Sequence, residues 1–213
     1  RIRSTPHARS VSPAMRGLAP AAMIGLMETR RSEETAVPRG VEPRQFTTVL
    51  FVDIVDATPL AVDLGDGAWA TLLERYHEIV RGVLEHYEGR LMDTAGDGIF
   101  AIFDSSRAAV GAAIEIGRSV RILGLELRSG IHVGHCWEVD EKCAGADVHV
   151  GARLAECARP GEILVSEAVA ERVRSAGFAV LEHRRRALKG LPGSWRVYAV
   201  GPAPDTKRRA GRR

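Results

Sequence analysis

The sequence predicts an α+β fold in which a core of β-α-β-β-α-β order precedes a C-terminal α/β extension. Three observations predict it. An apolar, β-prone run at residues 45–53 ends in an aspartate, and around residues 95–98 a second aspartate lies in a turn between two β-prone runs. A long segment between them repeats apolar residues at the helical period of about 3.6 residues. Shorter helix and strand patterns then alternate from residue 147 onward.

A single domain is expected at residues 45–201, between a basic leader at residues 1–44 and a basic tail at residues 202–213. The chain has 213 residues and net charge +3, yet residues 45–201 hold 17 basic and 22 acidic residues. Basic, proline-containing termini are usually disordered. A content of 45% apolar and 27% charged residues indicates a globular centre. The basic charge of the ends therefore gives no reason to expect specific nucleic-acid binding by the domain.

The first strand is expected to end at Asp53, because Val49–Val52 form the continuous apolar run of a strand buried on both faces. The dipeptide Thr58-Pro59 predicts the start of a short helix that ends at Gly65. Asp66 then predicts the cap of a long helix. Its apolar residues follow the helical period and indicate a core-facing helix without chemistry: Trp69, Leu72, Leu73, Tyr76, Ile79, Val80, Val83, Leu84 and Tyr87.

A hairpin is expected after the long helix, which ends at Gly89. Ala95–Gly98 has turn chemistry between two β-prone runs, with Asp97 at the tip. Asp104–Ser106 predicts the start of a third helix, whose many alanines allow close packing on a sheet.

Leu127–Val133 is the next predicted strand, followed by a polar hairpin at His135–Cys143. The order up to this point is the ferredoxin-like, or split βαβ, arrangement. In that topology the first and third strands are antiparallel neighbours. Asp53 and Asp97 are therefore expected at the same end of the sheet.

Two helices and three strands are expected in the C-terminal extension. They are a helix capped by Asp147 and ending near Ala158, a strand at Ile163–Val165, a helix capped by Ser166 and ending at Gly177, and strands near Phe178–Leu181 and Trp195–Val200.

The aspartate pair is the main candidate site. Taken singly, Asp53 can cap a helix and Asp97 can make a turn. Two carboxylates held close together repel unless a cation lies between them. Hard oxygen ligands suit Mg²⁺ or Mn²⁺, so the pair favours a metal site.

Cys136, Cys143 and Cys157 are an odd number of cysteines, and their spacings match no zinc or disulfide framework. A reduced, cytoplasmic location is the simplest interpretation. The apolar stretch Met15–Met27 is too short to cross a bilayer, so no transmembrane segment is expected.

Three motifs in order resemble the catalytic domain of class III nucleotidyl cyclases of the bacterial adenylate cyclase type. They are FVDIVDAT, then GDGIFAIF with its aspartate 44 residues after Asp53, then HVGARLAECARPGEILVS. The resemblance covers Gln45 to Val200. It implies a dimer with active sites at the interface. A homodimer is expected, and pairing with a second cyclase chain stays open. The resemblance also implies a phosphorus–oxygen lyase that converts ATP or GTP to the 3′,5′-cyclic monophosphate and pyrophosphate in cyclic-nucleotide signalling.

Two other functions stay open beside the cyclase. One is a catalytically weak or inactive cyclase-homology module for nucleotide sensing or dimerisation, since Asp93 and His149 depart from the family pattern. The other is a different two-metal enzyme on a palm-like fold, which the lack of a GGDEF-like motif and the presence of Arg153 disfavour.

The resemblance assigns metal and phosphate ligands around the first motif. Two Mg²⁺ or Mn²⁺ ions per site would bridge Asp53 and Asp97, with the Ile54 carbonyl as a backbone ligand. Amides at the turn into the first helix are placed to bind the β- and γ-phosphates. These belong to Val55, Asp56, Ala57 and Thr58, and the hydroxyl of Thr58 can cap the helix as well.

The third motif supplies the remaining catalytic candidates. Arg153 aligns with the family arginine that stabilises charge on the α-phosphate in the transition state. His149 stands where the family usually has the asparagine that positions the ribose. Because the two residues are an i, i+4 pair, they face the same side of a helix. A purely structural role for His149 is the alternative.

The base-reading positions leave the substrate base open. Asp93 occupies the place of a lysine in adenylate cyclases, and Lys142 that of its partner aspartate, with Cys143 adjacent. A carboxylate at position 93 can accept hydrogen bonds from guanine, and Asp93 with Cys143 resembles the guanylate cyclase pair. Alternatively, Asp93 and Lys142 form a reversed pair that reads neither base tightly.

Overall fold

The computed structural model describes residues 44–139, 142–182 and 185–202. The predicted leader and tail lie outside this range, apart from residues 44 and 202. The strands are β1 (Arg44–Ile54), β2 (Arg90–Ala95), β3 (Gly98–Phe103), β4 (Leu127–Val139), β5 (Lys142–Ala144), β6 (Ile163–Ser166), β7 (Ala179–Glu182) and β8 (Val197–Gly201). The helices are α1 (Ala57–Leu64), α2 (Asp66–His86), α3 (Ser106–Ser119), α4 (Ala146–Cys157) and α5 (Glu167–Arg174), with a 3₁₀ turn at Val120–Leu123.

One sheet organises the fold, with strand order β2-β3-β1-β4-β6-β8-β7 and β5 paired to β4. Strand β1 lies antiparallel between β3 and β4, and β4 runs parallel to β6. The predicted α+β class, the ferredoxin-like βαββαβ core and the C-terminal α/β extension are confirmed. The predicted adjacency of the first and third strands is confirmed as well, and it brings the two acidic stretches together.

Strand β1 is buried on both faces, as its unbroken apolar run predicts. Leu50 and Val52 pack into the larger core cluster with Tyr76 and Val80 of α2. Val49 and Phe51 pack on the opposite face in the cluster that includes apolar residues of α4. Because side chains alternate along a strand, Asp53 belongs to the face of Val49 and Phe51, the one on which α4 packs.

Three helix starts differ from the predicted caps. Helix α1 begins at Ala57 with Asp56 as its N-cap, not at Thr58, because the backbone turns sharply at Asp56 (φ 52°). The Leu60 amide then donates to the Asp56 carbonyl at 3.0 Å and closes the first helical turn. Gly65 replaces Asp66 as the N-cap of α2, and Gly145 replaces Asp147 as that of α4. Each predicted capping residue lies instead within the first turn of its helix.

The expectation that the cysteines do not pair is wrong for two of them. Cys136 and Cys143 form a disulfide pair across the β4–β5 hairpin, with Cα atoms 5.7 Å apart, inside the usual disulfide range. Both are buried. In this hairpin Cys143 lies opposite Glu138, so Cys136 is its diagonal neighbour on the same face. The seven-residue spacing of Cys136 and Cys143 thus follows from the pairing register of the hairpin. The number and spacing of cysteines in a sequence do not reveal that register.

Within the described ranges, no helix is long and apolar enough to span a membrane.

Candidate active site

The aspartate pair lies where β1 ends and the β2–β3 hairpin turns. Val52 is paired with Ile99, which puts Asp53 level with Gly98 and beside Asp97 at the tip. The carboxyl group of Asp53 is close enough to that of Asp97 to raise the pKa of Asp97. Asp53 is only 4% exposed. The structure therefore brings together the two carboxylates that the sequence placed at one end of the sheet.

Asp97 holds a proton unusually tightly. Burial, the hydrogen bond to Asp53 and the negative charge of Asp53 together raise the pKa of Asp97 to about 7. Two carboxyl groups that lie side by side share a proton more readily than they both ionise. A divalent cation would replace that proton and remove the repulsion.

We expect the free energy of unfolding of the metal-free protein to fall as pH rises from about 4 to about 7, because the folded state keeps a proton on Asp97 that the unfolded chain releases near pH 4. Above pH 7 both states have lost it and this contribution is constant. Asp97→Asn should remove this pH-dependent loss of stability. Its melting temperature should therefore exceed that of wild type most above pH 7. Thermal unfolding of wild type and Asp97→Asn in the presence of a chelator, from pH 5 to pH 8, measures this difference.

The matched control is Asp104→Asn, an exposed aspartate that follows the other end of β3. It should leave the pH profile unchanged. If the melting temperature of Asp97→Asn follows the wild-type value at every pH, the carboxylate pair does not hold the shared proton.

Arg128 is a site residue that sequence reasoning missed. It lies opposite Asp53 in the register of β1 and β4. Its Nε donates to Asp53 Oδ2 at 2.8 Å, and its Nη2 contacts the same oxygen. The guanidinium thus offsets part of the negative charge of the pair. No motif marks this arginine, since its partner is determined by strand register.

The turn into α1 holds some of the predicted phosphate-binding amides, with one correction. The Val55 amide donates to the Glu126 carbonyl at 2.9 Å, so it is already used within the protein. Asp56 adopts the left-handed region that non-glycine residues rarely occupy. The first amides of an α-helix have no intrahelical acceptor, so those of Ala57 and Thr58 remain candidates for binding an anion.

Helix α2 supports the hairpin tip from the other face of the sheet. His77 Nε2 donates to the Gly96 carbonyl at 3.0 Å. Burial lowers the pKa of His77, against the opposing effect of that hydrogen bond. A neutral imidazole with its proton on Nε2 therefore fixes the residue before Asp97. The neighbouring Tyr76 is fully buried in the core. Tyr76 belongs to the apolar pattern interpreted only as core, and no pattern in the sequence marks His77.

The donor atoms of the site fit a hard divalent cation. Asp53 and Asp97 offer carboxylate oxygens from two adjacent chain segments, and Ile54 follows Asp53 with its backbone carbonyl. Across the described part of the chain, no three histidine, cysteine, aspartate or glutamate side chains group around one point. A cation here would therefore take its other ligands from the backbone, the substrate or water. The roles of Asp53, Ile54 and Asp97 as metal ligands stay a prediction.

Helix α4, which carries His149 and Arg153, is pressed closely against the sheet. A Cβ on Gly130 of β4 would clash with the backbone of Ala155 and Gly151, and a Cβ on Gly151 would meet Val49 and Phe51. Glycine at both positions permits this approach. At the start of the helix, Asp147 Oδ2 accepts from the His135 amide at 2.6 Å. The position of α4 relative to β1 and β4 is thus closely determined.

Arg153 is buried and forms an ion pair one turn along its own helix. Its Nη1 donates to both carboxylate oxygens of Glu156, at 2.8 and 2.9 Å. His149 is half-buried, four residues earlier on the helix. Their predicted catalytic roles stay predictions.

The predicted base-reading residues lie on separate strands. Asp93 is exposed on β2, beside a register shift opposite Phe100. Lys142 and Cys143 lie on β5, and β3, β1 and β4 stand between β2 and β5 in the strand order. The sulfur of Cys143 is engaged with Cys136. Base contacts by Asp93, Lys142 and Cys143 stay predictions, and one by the Cys143 thiol requires the cysteine pair to be reduced.

Comparison with known proteins gives one family match and several relatives. Residues 40–201 match the family model described as the adenylate and guanylate cyclase catalytic domain. A putative adenylate cyclase from Rhizobium meliloti is 25% identical over 138 residues, which are 61% of this chain and 24% of that protein. An adenylate cyclase from Glutamicibacter nicotianae is 24% identical over 66% of this chain and 36% of its own length.

The fold also matches a solved cyclase structure. The adenylyl cyclase CyaB from P. aeruginosa superposes with a TM-score of 0.71 at 24% identity, covering 78% of this chain and 98% of that one. The chain spans well under half the length of these two curated relatives. The resemblance of the three motifs to class III nucleotidyl cyclases is confirmed.

Proposed function

Because this chain belongs to the family of adenylate and guanylate cyclase catalytic domains, we propose that it converts ATP, or GTP, to the 3′,5′-cyclic monophosphate and pyrophosphate. The observation that carries the proposal is the strand register that puts Asp53 at the end of β1 beside Asp97 of the β2–β3 hairpin. The pair lies next to the N-terminus of α1 and to an arginine on β4. This arrangement offers both a cation site and donors for a triphosphate.

Class III cyclases generally use divalent metal ions, and the carboxylate pair would hold two Mg²⁺ or Mn²⁺ ions per site. When bound, these ions would lower the pKa of the ribose 3′-hydroxyl and neutralise charge on the triphosphate. The chain's own contribution is to keep Asp53 and Asp97 in place, by the β1–β3 pairing and by the contact of His77 with the hairpin.

The triphosphate would lie between the N-terminus of α1 and Arg128. The amides of Ala57 and Thr58 suit an anion at a helix N-terminus. In the described structure Arg128 pairs with Asp53. If Asp53 held a cation, its carboxylate would be less available to Arg128, whose guanidinium could then contact phosphate oxygens.

Arg153 and His149 would complete the site from a second copy of the chain. Arg153 would stabilise the charge that develops on the α-phosphate, and His149 would hold the ribose through one ring N–H. The ion pair with Glu156 holds the Arg153 guanidinium in one orientation. A homodimer of this kind has two equivalent sites, each needing both chains.

A non-catalytic cyclase-homology module is the second candidate function. The feature that favours it is an acidic, exposed Asp93 where adenylate cyclases of the family have a lysine. In this case the domain would bind nucleotide or dimerise without appreciable turnover.

A cyclase assay with both triphosphates distinguishes the two functions. Purified protein with Mn²⁺ is expected to form cyclic AMP from ATP or cyclic GMP from GTP, measured by chromatography against a blank without protein. The relative rates with ATP and GTP identify the preferred base. Absence of product from both triphosphates at high Mn²⁺ would contradict the enzymatic proposal and favour the module.

A further inference from the structure

His132 is a buried histidine of β4 that lies under the start of helix α4. It pairs with Val49 of β1, whose side chain packs on the α4 face of the sheet. The residues two before and two after it on that face are glycines. A Cβ on Gly130 would clash with the backbone of α4, and one on Gly134 with the side chain of Asp147. Of these three positions, only His132 brings a side chain to the contact between sheet and helix.

Both ring nitrogens of His132 have polar partners. Nδ1 lies 2.8 Å from the hydroxyl oxygen of Ser166, at the end of β6. Nε2 lies 3.6 Å from Oδ1 of Asp147, in the first turn of α4. The other carboxylate oxygen of Asp147 accepts from the His135 amide at 2.6 Å. The imidazole thus connects two strands of the sheet to the first turn of α4.

These partners determine which nitrogen carries the proton. A carboxylate can only accept, so the Nε2–H of a neutral ring points to Asp147, and Nδ1 accepts from the Ser166 hydroxyl. Burial lowers the pKa of His132, against the opposing effect of the Asp147 charge, so the ring is neutral at pH 7. The contact of Nε2 with Asp147 is longer than a normal hydrogen bond and acts through charge.

A serine, a histidine and an aspartate in this order also form the catalytic triad of many hydrolases, in which the serine attacks the substrate. Here Ser166 is only 3% exposed and His132 only 6%. A substrate cannot reach either side chain. The three residues therefore serve to hold structural elements together and do not catalyse hydrolysis.

We propose that His132 is a positioning residue of the active site, which holds the first turn of α4 so that His149 and Arg153 are directed toward the substrate. This inference rests on the proposed function. The two catalytic candidates lie two and six residues after Asp147, so a displacement of the first turn is carried along the helix to both. A misplacement of about 1 Å can cost about 10²-fold in rate.

The first test compares His132→Phe and Asp147→Asn with wild type. Phenylalanine keeps a ring but has no nitrogen, and asparagine keeps the shape of a partly exposed side chain without its charge. Each variant should lower kcat with ATP and GTP, His132→Phe by about 10²-fold. Mn²⁺ affinity of the metal-free protein, measured by electron paramagnetic resonance, should not change, because β1 and the β2–β3 hairpin hold the aspartates. If His132→Phe does not fold, Asp147→Asn decides.

Mixing chains separates positioning of α4 from general damage to the fold. In the proposed site, α4 and the aspartate pair come from different chains. With random exchange of subunits, His132→Phe mixed with Asp97→Ala should therefore recover about a quarter of wild-type activity. His132→Phe mixed with Arg153→Ala should recover none, because both defects then lie on the α4 side of every site. A histidine that only supported the fold would give no recovery in either mixture.

Amide hydrogen exchange tests the same contact without turnover. In both variants the amides of α4 should exchange about 10-fold faster than in wild type, because a contact that opposes local opening is lost. The amides of α2 should be unchanged. His86→Phe is the matched control, since His86 is an exposed histidine at the end of α2. It should keep wild-type exchange in α4 and wild-type activity.

Three results overturn the inference and leave the proposed function intact. They are unchanged kcat in both variants of an active protein, exchange in α4 equal to that of wild type, and no recovery of His132→Phe by Asp97→Ala where Arg153→Ala is recovered. A wild-type protein that forms no cyclic nucleotide contradicts the proposed function itself, and the catalytic role of His132 is then lost with it.

Discussion

Asp97→Ala is expected to abolish cyclic nucleotide formation, with a loss of at least about 10³-fold in kcat, because it removes one of the two carboxylates that would hold the metal ions. The effect should be equally large with ATP and GTP, since metal binding does not depend on the base. The assay is product formation at saturating Mn²⁺, with folding checked by circular dichroism. Asp53 would remain paired with Arg128, so the hairpin and β1 should keep their structure.

Asp104→Ala is the matched control for this experiment. It removes one negative charge from an exposed position just after β3, the strand that Asp97 precedes. It should retain wild-type activity. Turnover by Asp97→Ala within a few-fold of wild type would contradict the two-carboxylate mechanism, whatever the preferred base.

Arg153→Ala is expected to lower kcat by about 10²–10³-fold, because a guanidinium aimed at charge in the transition state contributes that much in other enzymes. Because Arg153 is buried and paired with Glu156, folding of the variant must be verified. Arg153→Gln is a second variant that keeps more of the side-chain volume. Arg153→Lys should not restore the full rate, because a lysine ammonium lacks the planar, bidentate donor geometry of a guanidinium.

Mixing Asp97→Ala with Arg153→Ala tests whether the two residues act from different chains. A mixed dimer would contain one site with both defects and one site with neither. With random exchange of subunits, about a quarter of all sites are intact, so about a quarter of wild-type activity should return. Glu156→Gln mixed with Asp97→Ala is a control that keeps Arg153 in both chains.

Absence of any recovery on mixing, with exchange verified by a tagged chain, would contradict the shared site. Activity of Arg153→Ala near the wild-type rate would remove the arginine from the mechanism. In either case the metal site on Asp53 and Asp97 could still be tested by Mn²⁺ binding alone.

Much of the core could be predicted from local pattern. The apolar run before Asp53 predicted a strand buried on both faces, and the periodic residues of α2 predicted its length and its buried side. Turn chemistry around Asp97 predicted the hairpin, and the order of elements then predicted which strands pair. Helix starts were less predictable, because Asp56 adopts a left-handed conformation that begins α1 earlier than the Thr58-Pro59 signal indicated.

What the sequence determined by itself is the arrangement of elements and the presence of two aspartates at one sheet end, since strand polarity, helical period and turn chemistry act between near neighbours in the chain. Only the tertiary structure decided that Arg128 pairs with Asp53 and that the Glu126 carbonyl accepts from the Val55 amide. These contacts depend on cross-strand register and on which face of a helix packs inward. A shift of one residue would exchange every such partner, and no local pattern encodes that choice.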